Sequence, residues 1–331
     1  MSQSSASHVN SASYNRSDDL SIGVDIGGTK VLGGVVDSQG NILATHREPT
    51  PATGGDDLTA VIIGVIQELL SQFPAKMVGI SAAGFVSADR KTMLATPNIA
   101  NWNGVNLEEI ISKAVGLPVV IENDANAAAW GEAKFGAGRD SAPMLMITVG
   151  SGIGGGIVHS EGLYRGAFGV AAEFGHLRMV PGGQQCGCGA HGCFEQYASG
   201  NALRRFVREA IAHDPATGAQ ILALGNGTIE GVEGAHITQA ARNGNAIAKQ
   251  AFNDIAHYLA AGIATLSVIL DPEVVVIGGG VIDAQDLFFQ TLLDSLDQYM
   301  PFSGKHPNPK IVPALLGNDA GLVGVADLAR A

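Results

Sequence analysis

The chain has 331 residues, 46% of them hydrophobic and only 15% charged, with 45 glycines. That balance excludes a disordered polymer and leaves enough chain for about two domains with sizeable cores. The formal net charge is -12, and no block of Lys or Arg supplies the basic face that displaces phosphate counterions, so no nucleic-acid partner is expected.

Residues 1–19 are rich in Ser and Asn, carry no apolar period and lack the hydrophobic centre of a secretory signal; they read as a disordered tail. From Ser21 onward strand and helix signals alternate, which predicts an α/β architecture. Ile22 to Asp25 reads as a strand running into a glycine turn. Val31 to Asp37 and Ile42 to His46 follow, joined by Ser38-Gln-Gly-Asn41, and the three predict an antiparallel meander. Ile62, Ile66, Leu69, Leu70 and Phe73 share a helical face. Met77 to Ser81 and Pro118 to Ile121 are short buried strands, and Asn123-Asp124 opens an Ala-rich helix over Ala125 to Lys134.

After Gly136-Ala-Gly138 the pattern restarts. A strand over Met144 to Val149 leads through Gly150-Ser-Gly-Ile-Gly-Gly-Gly156 into Ile157-Val158, echoing the order at Asp25 as a faint internal duplication. Tyr164 to Tyr197 has little regular pattern. Helices are predicted over Ala202 to Ala212, Ala246 to Leu270 and Ala320 to Ala329, and a strand over Val274 to Ile277. The apolar stretch Ile255 to Leu270 is too short to span a bilayer and carries four polar or titratable side chains, so it reads as a core helix with no membrane role. The expected lobes are residues 20–138 with 318–331, the smaller, and 139–317, the larger, with a ligand cleft between them.

Three strand-to-glycine turns suit phosphate. Asp25-Ile-Gly27-Gly28-Thr29-Lys30 presents a carboxylate, two residues whose amides approach oxygen unobstructed, a hydroxyl and an ammonium; Asp25 suits Mg²⁺ held through water. Thr148-Val-Gly150-Ser-Gly152 and Gly278-Gly279-Gly280 are the other two. Each has a plain structural explanation, a tight turn pressed on neighbouring backbone, but the three together favour a nucleotide. None fits the dinucleotide or Walker spacing.

The three cysteines, Cys186, Cys188 and Cys193, fall within eight residues, a poor disulfide framework and a good metal loop in a reducing compartment, which points to the cytoplasm. With His176 they make a closed tetrahedral zinc set. His191 competes for the fourth position; His176 is preferred because it ties a separate segment to the loop. Asp124, at a strand mouth and helix start, suits a base for a substrate hydroxyl, and equally a helix cap. Glu173, His176 and Glu195 flank the cysteine loop and suit several sugar hydroxyls.

The segments Asp25-Ile-Gly-Gly-Thr-Lys30, Glu122-Asn-Asp-Ala-Asn-Ala-Ala-Ala-Trp-Gly-Glu132, Glu173-Phe-Gly-His176 and Cys186-Gly-Cys-Gly-Ala-His-Gly-Cys-Phe-Glu195 resemble together the ROK family, which joins repressors, open-reading-frame proteins and kinases. The resemblance is strongest to its zinc-containing actinobacterial glucokinases and covers Ser21 to the C-terminus. It implies a two-lobed actin/hexokinase-like (ribonuclease H-like) fold and ATP-dependent phosphorylation of the 6-hydroxyl of glucose, with Mg²⁺. It implies Asp124 as general base, Gly84, Asn98, Asn123, Glu173, His176 and Glu195 on the sugar, and zinc on His176, Cys186, Cys188 and Cys193. For the nucleotide it implies the turns at Asp25, Thr148 and Gly278, with Gly317. A homodimer or homotetramer is expected. Kinases for mannose or an N-acetylated amino sugar, or with polyphosphate as donor, are the near alternatives. A sugar-responsive repressor would need a DNA-binding segment that the twenty-four residues before Asp25 do not show.

Overall fold

The computed structural model describes residues 19–96, 99–301 and 303–331; Asn98 and all of the expected tail but Asp19 lie outside the described residues. In chain order the elements are β1 (Ser21–Ile26), β2 (Lys30–Val36), β3 (Ile42–Pro49), α1 (Gly55–Leu70), β4 (Met77–Ala82), β5 (Phe85–Val86), β6 (Thr92–Ala95) and β7 (Val105–Asn106). Next come α2 (Leu107–Val115), β8 (Val119–Asn123), α3 (Asp124–Phe135), β9 (Met144–Val149), β10 (Ile153–His159) and β11 (Gly162–Leu163). The chain continues through α4 (Glu195–Ala198), α5 (Gly200–His213), α6 (Pro215–Leu224), α7 (Gly234–Arg242), α8 (Ala246–Leu270), β12 (Val274–Gly278), α9 (Gln285–Tyr299), β13 (Lys310–Pro313) and α10 (Ala320–Leu328). The meander, α3, α5, α8 and α10 stand where the sequence predicts them, while α6, α7 and α9 lie in stretches for which it predicts no helix.

Two compact units result. One holds the chain up to Met146 with Gly156–Ala172 and Ala314–Ala331; the other holds Ile147–Gly155 with Glu173–Pro313. In the first unit a five-stranded sheet runs β3-β2-β1-β4-β8. Its first three strands are antiparallel, and β4 and β8 continue it in parallel. A second sheet runs β11-β10-β9-β12-β13, again with an antiparallel end and a parallel end. The two sheets share one strand plan, so the faint duplication in the sequence is a duplication of topology. The β2–β3 turn is pinned by Asp37, whose Oδ1 accepts the amides of Gln39 at 2.9 Å and Asn41 at 2.8 Å.

In the first unit α1 covers one sheet face with Leu58, Ile62, Val65, Ile66 and Leu69, all buried. Missing side chains let α10 press on the sheet. A Cβ on Gly23 of β1 would stand 2.1 Å from the Leu322 carbonyl oxygen, and one on Gly79 of β4 would stand 2.0 Å from that of Val325. Gly23 and Gly79 are register partners, so the sheet offers the helix a two-residue notch. On its other side α10 meets α3 through a reciprocal pair: a Cβ on Gly324 would lie 1.8 Å from the Ala127 oxygen, and one on Gly131 2.4 Å from the Ala320 oxygen.

The second unit is built on α8, against which α4, α5, α6, α7 and α9 pack. At 25 residues α8 is longer than the apolar stretch read from the sequence, and by length and composition alone it would cross a bilayer. Half of its most apolar window is buried against these helices, so packing rather than shortness marks it as a core helix. Phe194, fully buried, inserts against Gly262 of α8, where a Cβ would lie 2.2 Å from the ring, and so seats the cysteine loop on the core.

Gly324→Ala is expected to destabilise the protein by about 3 kcal/mol, the upper range for overpacking, because both neighbours are backbone and cannot yield. Exposed Gly64 in α1, with nothing within 4 Å of its would-be Cβ, is the control: Gly64→Ala should be stabilising by about 0.5–1 kcal/mol. Urea midpoints of the two variants check both.

Candidate active site and metal centre

Asp25 is next to last in β1 and takes a hydrogen bond from Ser81 Oγ at 2.8 Å, on the adjacent parallel strand β4. Loss of hydration raises its pKa; the Ser81 hydroxyl opposes the shift, the charge of Asp124 adds to it, and Lys30 and Asp319 act in smaller and opposite senses. The turn that follows closes with Gly27 N–H on the Lys30 carbonyl at 2.9 Å, and Thr50 Oγ1 donates to the Gly27 carbonyl at 2.7 Å. Thr29 and Lys30 are exposed. Gly28 is exposed too, with nothing within 4 Å of the place a Cβ would take, so protein packing does not require a glycine there.

Asp124 is the first residue of α3. Its Oδ1 accepts the Ala125 amide at 2.9 Å. Its residue is exposed, yet the protein around the carboxyl displaces enough water to push its pKa above the usual range, against the pull of that amide. Asn123 is the helix cap: its Oδ1 accepts the Asn126 amide at 3.0 Å, and its Nδ2 donates to the Gly84 carbonyl at 3.1 Å. The capping role therefore falls to Asn123, whose side chain also hydrogen-bonds Asp124 and draws its pKa down. Gly84 has φ +137, and a Cβ there would lie 2.5 Å from the Ala95 carbonyl oxygen, so this turn demands glycine.

Behind this pair lies a buried ion cluster that no local motif announces. Glu122, fully buried, lies 3.1 Å from Arg90 Nε and 2.9 Å from Arg165 Nε, while its Oε1 accepts the Asn123 amide at 2.9 Å. Arg165 also donates to the carbonyls of Ser87 at 3.1 Å and Ala88 at 2.7 Å. No local spacing links Arg90, Glu122 and Arg165.

In the second unit the cysteine loop turns on itself, with the Cys186 amide on the Ala190 carbonyl at 2.7 Å and the Gly189 amide on the Cys186 carbonyl at 3.0 Å. The ligand atoms of His176, Cys186, Cys188 and Cys193 lie within 4.8 Å of one another. Zinc–sulfur bonds of about 2.3 Å at tetrahedral angles set sulfurs about 3.8 Å apart. Cys188 and Cys193 are 3.6 Å apart, and Cys186 Sγ is 3.7 Å from His176 Nδ1. The set therefore fits a closed structural zinc, with His176 rather than His191 as the imidazole. Burial pushes the Cys186 thiol up to about 12, so only a bound cation would hold it as thiolate at neutral pH.

Glu195 connects this loop with the Gly150 turn. Its Oε1 lies 3.0 Å from Cys186 Sγ, and its Oε2 occupies the space of a Gly152 Cβ, 2.6 Å away. The carbonyl of Glu173, whose residue caps the 3-10 turn Phe174–His176, accepts the His176 amide at 3.1 Å. Thr148 is half-buried at the end of β9, and Gly150 has nothing within 4 Å of its Cβ position. Gly278 ends β12 in a buried position. Gly279 differs from Gly150: at φ +85, with Val149 oxygen 2.6 Å from a would-be Cβ, it has a packing reason to be glycine. Gly317 has φ +56 and opens the 3-10 turn Gly317–Asp319 ahead of α10.

The ROK family model matches residues 21–331. The chain belongs to the ROK family. A glucokinase of Streptomyces coelicolor is 47% identical over 311 residues, which cover 94% of this ROK protein and 98% of that one. The crystal structure of a ROK family glucokinase from Streptomyces griseus, in complex with glucose and AMPPNP, matches with a TM-score of 0.84 and 45% identity over 94% of this chain and 99% of that chain. A ROK hexokinase from Thermus thermophilus matches with a TM-score of 0.80 and 32% identity over 94% of this chain and 98% of that chain. The fold of this ROK protein is thus of the actin/hexokinase type, as its sequence implies.

His176→Ala is expected to reduce bound zinc from one per chain to a small fraction, whereas His191→Ala keeps it; elemental analysis of the purified variants decides between the two histidines. A carboxyl whose folded pKa is raised stabilises the fold while protonated, and that contribution is lost as pH rises through the raised pKa. Ionised Asp124 therefore opposes folding at neutral pH. Asp124→Asn should raise Tm there, with the gain vanishing at pH values below the ordinary carboxylate range; a lower Tm at neutral pH would contradict the electrostatic assignment.

Proposed function

We propose that this chain is an ATP-dependent glucokinase that transfers the γ-phosphoryl group to the 6-hydroxyl of D-glucose, giving glucose 6-phosphate and ADP. The observation that carries this reading is the 47% identity to a glucokinase over 94% of the chain, joined to a crowded, solvent-reaching carboxylate, Asp124, whose charge is felt at the Asp25 turn. In the proposed reaction O6 attacks the γ-phosphorus as the bond to the β,γ-bridging oxygen breaks. Asp124 accepts the O6 proton, and its raised pKa brings it closer to the hydroxyl it must deprotonate.

Asp25 would hold Mg²⁺ through water, and that ion when bound would neutralise phosphoryl charge. The amides of Gly27, Gly28, Gly150 and Gly152, the hydroxyls of Thr29 and Thr148, the Lys30 ammonium and the turns at Gly278, Gly279 and Gly317 would receive the nucleotide. Gly84, Asn98, Asn123, Glu173, His176 and Glu195 would receive the sugar hydroxyls. Because Nδ1 of His176 faces Cys186, its Nε2 is the nitrogen left for a hydroxyl. Zinc, closed by four protein ligands, would shape this loop and take no part in bond making. The enzyme is proposed to work in the cytoplasm as a homodimer or homotetramer, without nucleic acid or membrane.

Initial rates over glucose, mannose and N-acetylated amino sugars, each with ATP and with polyphosphate, should give the highest kcat/KM for glucose with ATP. Asp124→Ala should lower kcat by about three orders of magnitude and leave the glucose KM within about threefold. A higher kcat/KM for another sugar or donor would move the substrate assignment, and near-normal turnover in Asp124→Ala would remove the base.

A further inference from the structure

Glu132 is fully buried and has no place in the reaction as proposed. Among the described residues no ion pair to it is seen. Both of its oxygens instead accept backbone amides: Oε1 that of Leu316 at 2.7 Å, and Oε2 those of Leu315 at 3.1 Å and Ala137 at 2.7 Å. The chain makes room for the carboxylate with Gly136, where a Cβ would stand 2.0 Å from Oε2. Burying an ionised carboxylate is unfavourable unless its lone pairs are satisfied, and here the satisfying donors come chiefly from a segment 183 residues away.

That segment is the approach to Gly317. Leu316 is the residue from which the 3-10 turn Gly317–Asp319 starts, and α10 follows directly. In the first turn of α10, Gly321 stands against the other end of the site: a Cβ there would be 3.1 Å from Asp25 Oδ1 and 3.4 Å from Ser81 Oγ. Without the Glu132 contacts, two successive amides just ahead of Gly317 would lose their acceptors. The helix that carries Glu132 begins with Asp124. Eight residues at about 1.5 Å each place the carboxylate roughly 12 Å along the axis from the proposed base.

We propose that Glu132 is a positioning residue for the nucleotide: it holds the Leu315–Leu316 backbone so that the Gly317 turn is set for ATP, with α3 as the rigid spacer between that turn's anchor and Asp124. This rests on the nucleotide reading of Gly317. Glu132 touches neither substrate, so its removal acts through the turn, on ATP and not on glucose.

Glu132→Gln tests it, because the amide keeps the size and turns one acceptor into a donor facing a backbone N–H. In the folded variant the KM for ATP should rise about tenfold or more, the loss expected for charged hydrogen bonds. Glucose affinity, measured by equilibrium binding without nucleotide, should stay within about twofold. Hydrogen exchange at the Leu315 and Leu316 amides should quicken over the same range. If Glu132→Gln does not fold, Glu132→Asp, which keeps the charge but withdraws it by one methylene, is read in the same way. An unchanged KM for ATP beside an active wild type, or equal losses for ATP and glucose, overturns the inference alone. A wild type that does not use ATP overturns it together with the proposed function.

Discussion

The constraint on which the first unit turns is negative charge gathered in one place. Asp25 and Asp124 are both pushed toward their neutral forms by burial or crowding, and Asp25 is raised further by Asp124 and by Asp319. One ammonium, Lys30, acts in the other direction. The protein offsets part of this with the Ser81 hydroxyl, the Ala125 amide and the N-terminal end of α3, whose dipole favours a carboxylate. It does not remove it. Groups left in such a state are the ones that a divalent cation and a proton-donating hydroxyl satisfy, which is the usual relation between strain in a fold and work at a site.

Holding like charges in register needs a stiff frame, and the frame is made from the absence of side chains. Gly23, Gly79, Gly131 and Gly324 let α10 lie against both the sheet and α3 at backbone contact. Asp25 is next to last in one of those strands and Asp124 starts that helix, so each carboxylate is fixed by elements that share α10 as a neighbour. The buried Glu122 cluster acts at shorter range. It grips the Asn123 amide on one side and two guanidinium groups on the other, and Arg165 ties in the carbonyls of Ser87 and Ala88. Removing one member would strand an unpaired buried charge.

What the sequence made legible was local. The Asp25 turn, the Asp124 helix start and the cysteine loop announce themselves within ten residues or so, and the duplicated strand plan follows from two similar strand–glycine–strand runs. Even there sequence could not separate Gly28 from Gly279, since both sit in glycine turns and only the neighbours show that Gly279 is needed for packing. The small sheet β5-β6-β7 escaped because its strands, two to four residues long, are too short to show alternation. Ser81 on Asp25, Arg165 on Glu122 and Glu132 on Leu316 escaped because the partners are far apart in sequence and no periodicity joins them. The split between His176 and His191 was settled by geometry, which put an imidazole nitrogen 3.7 Å from Cys186 on the side of His176.

Asp124 is proposed to act as an ionised base, and its surroundings hold its pKa above the ordinary carboxylate range. The pH dependence of kcat, with glucose and ATP both saturating, measures that state directly. It should fall on the acid side through a single ionisation above the pKa of an unperturbed aspartate, since the base must be deprotonated to act. A flat acid limb down to the range of a solvated carboxylate would show that no such group controls turnover.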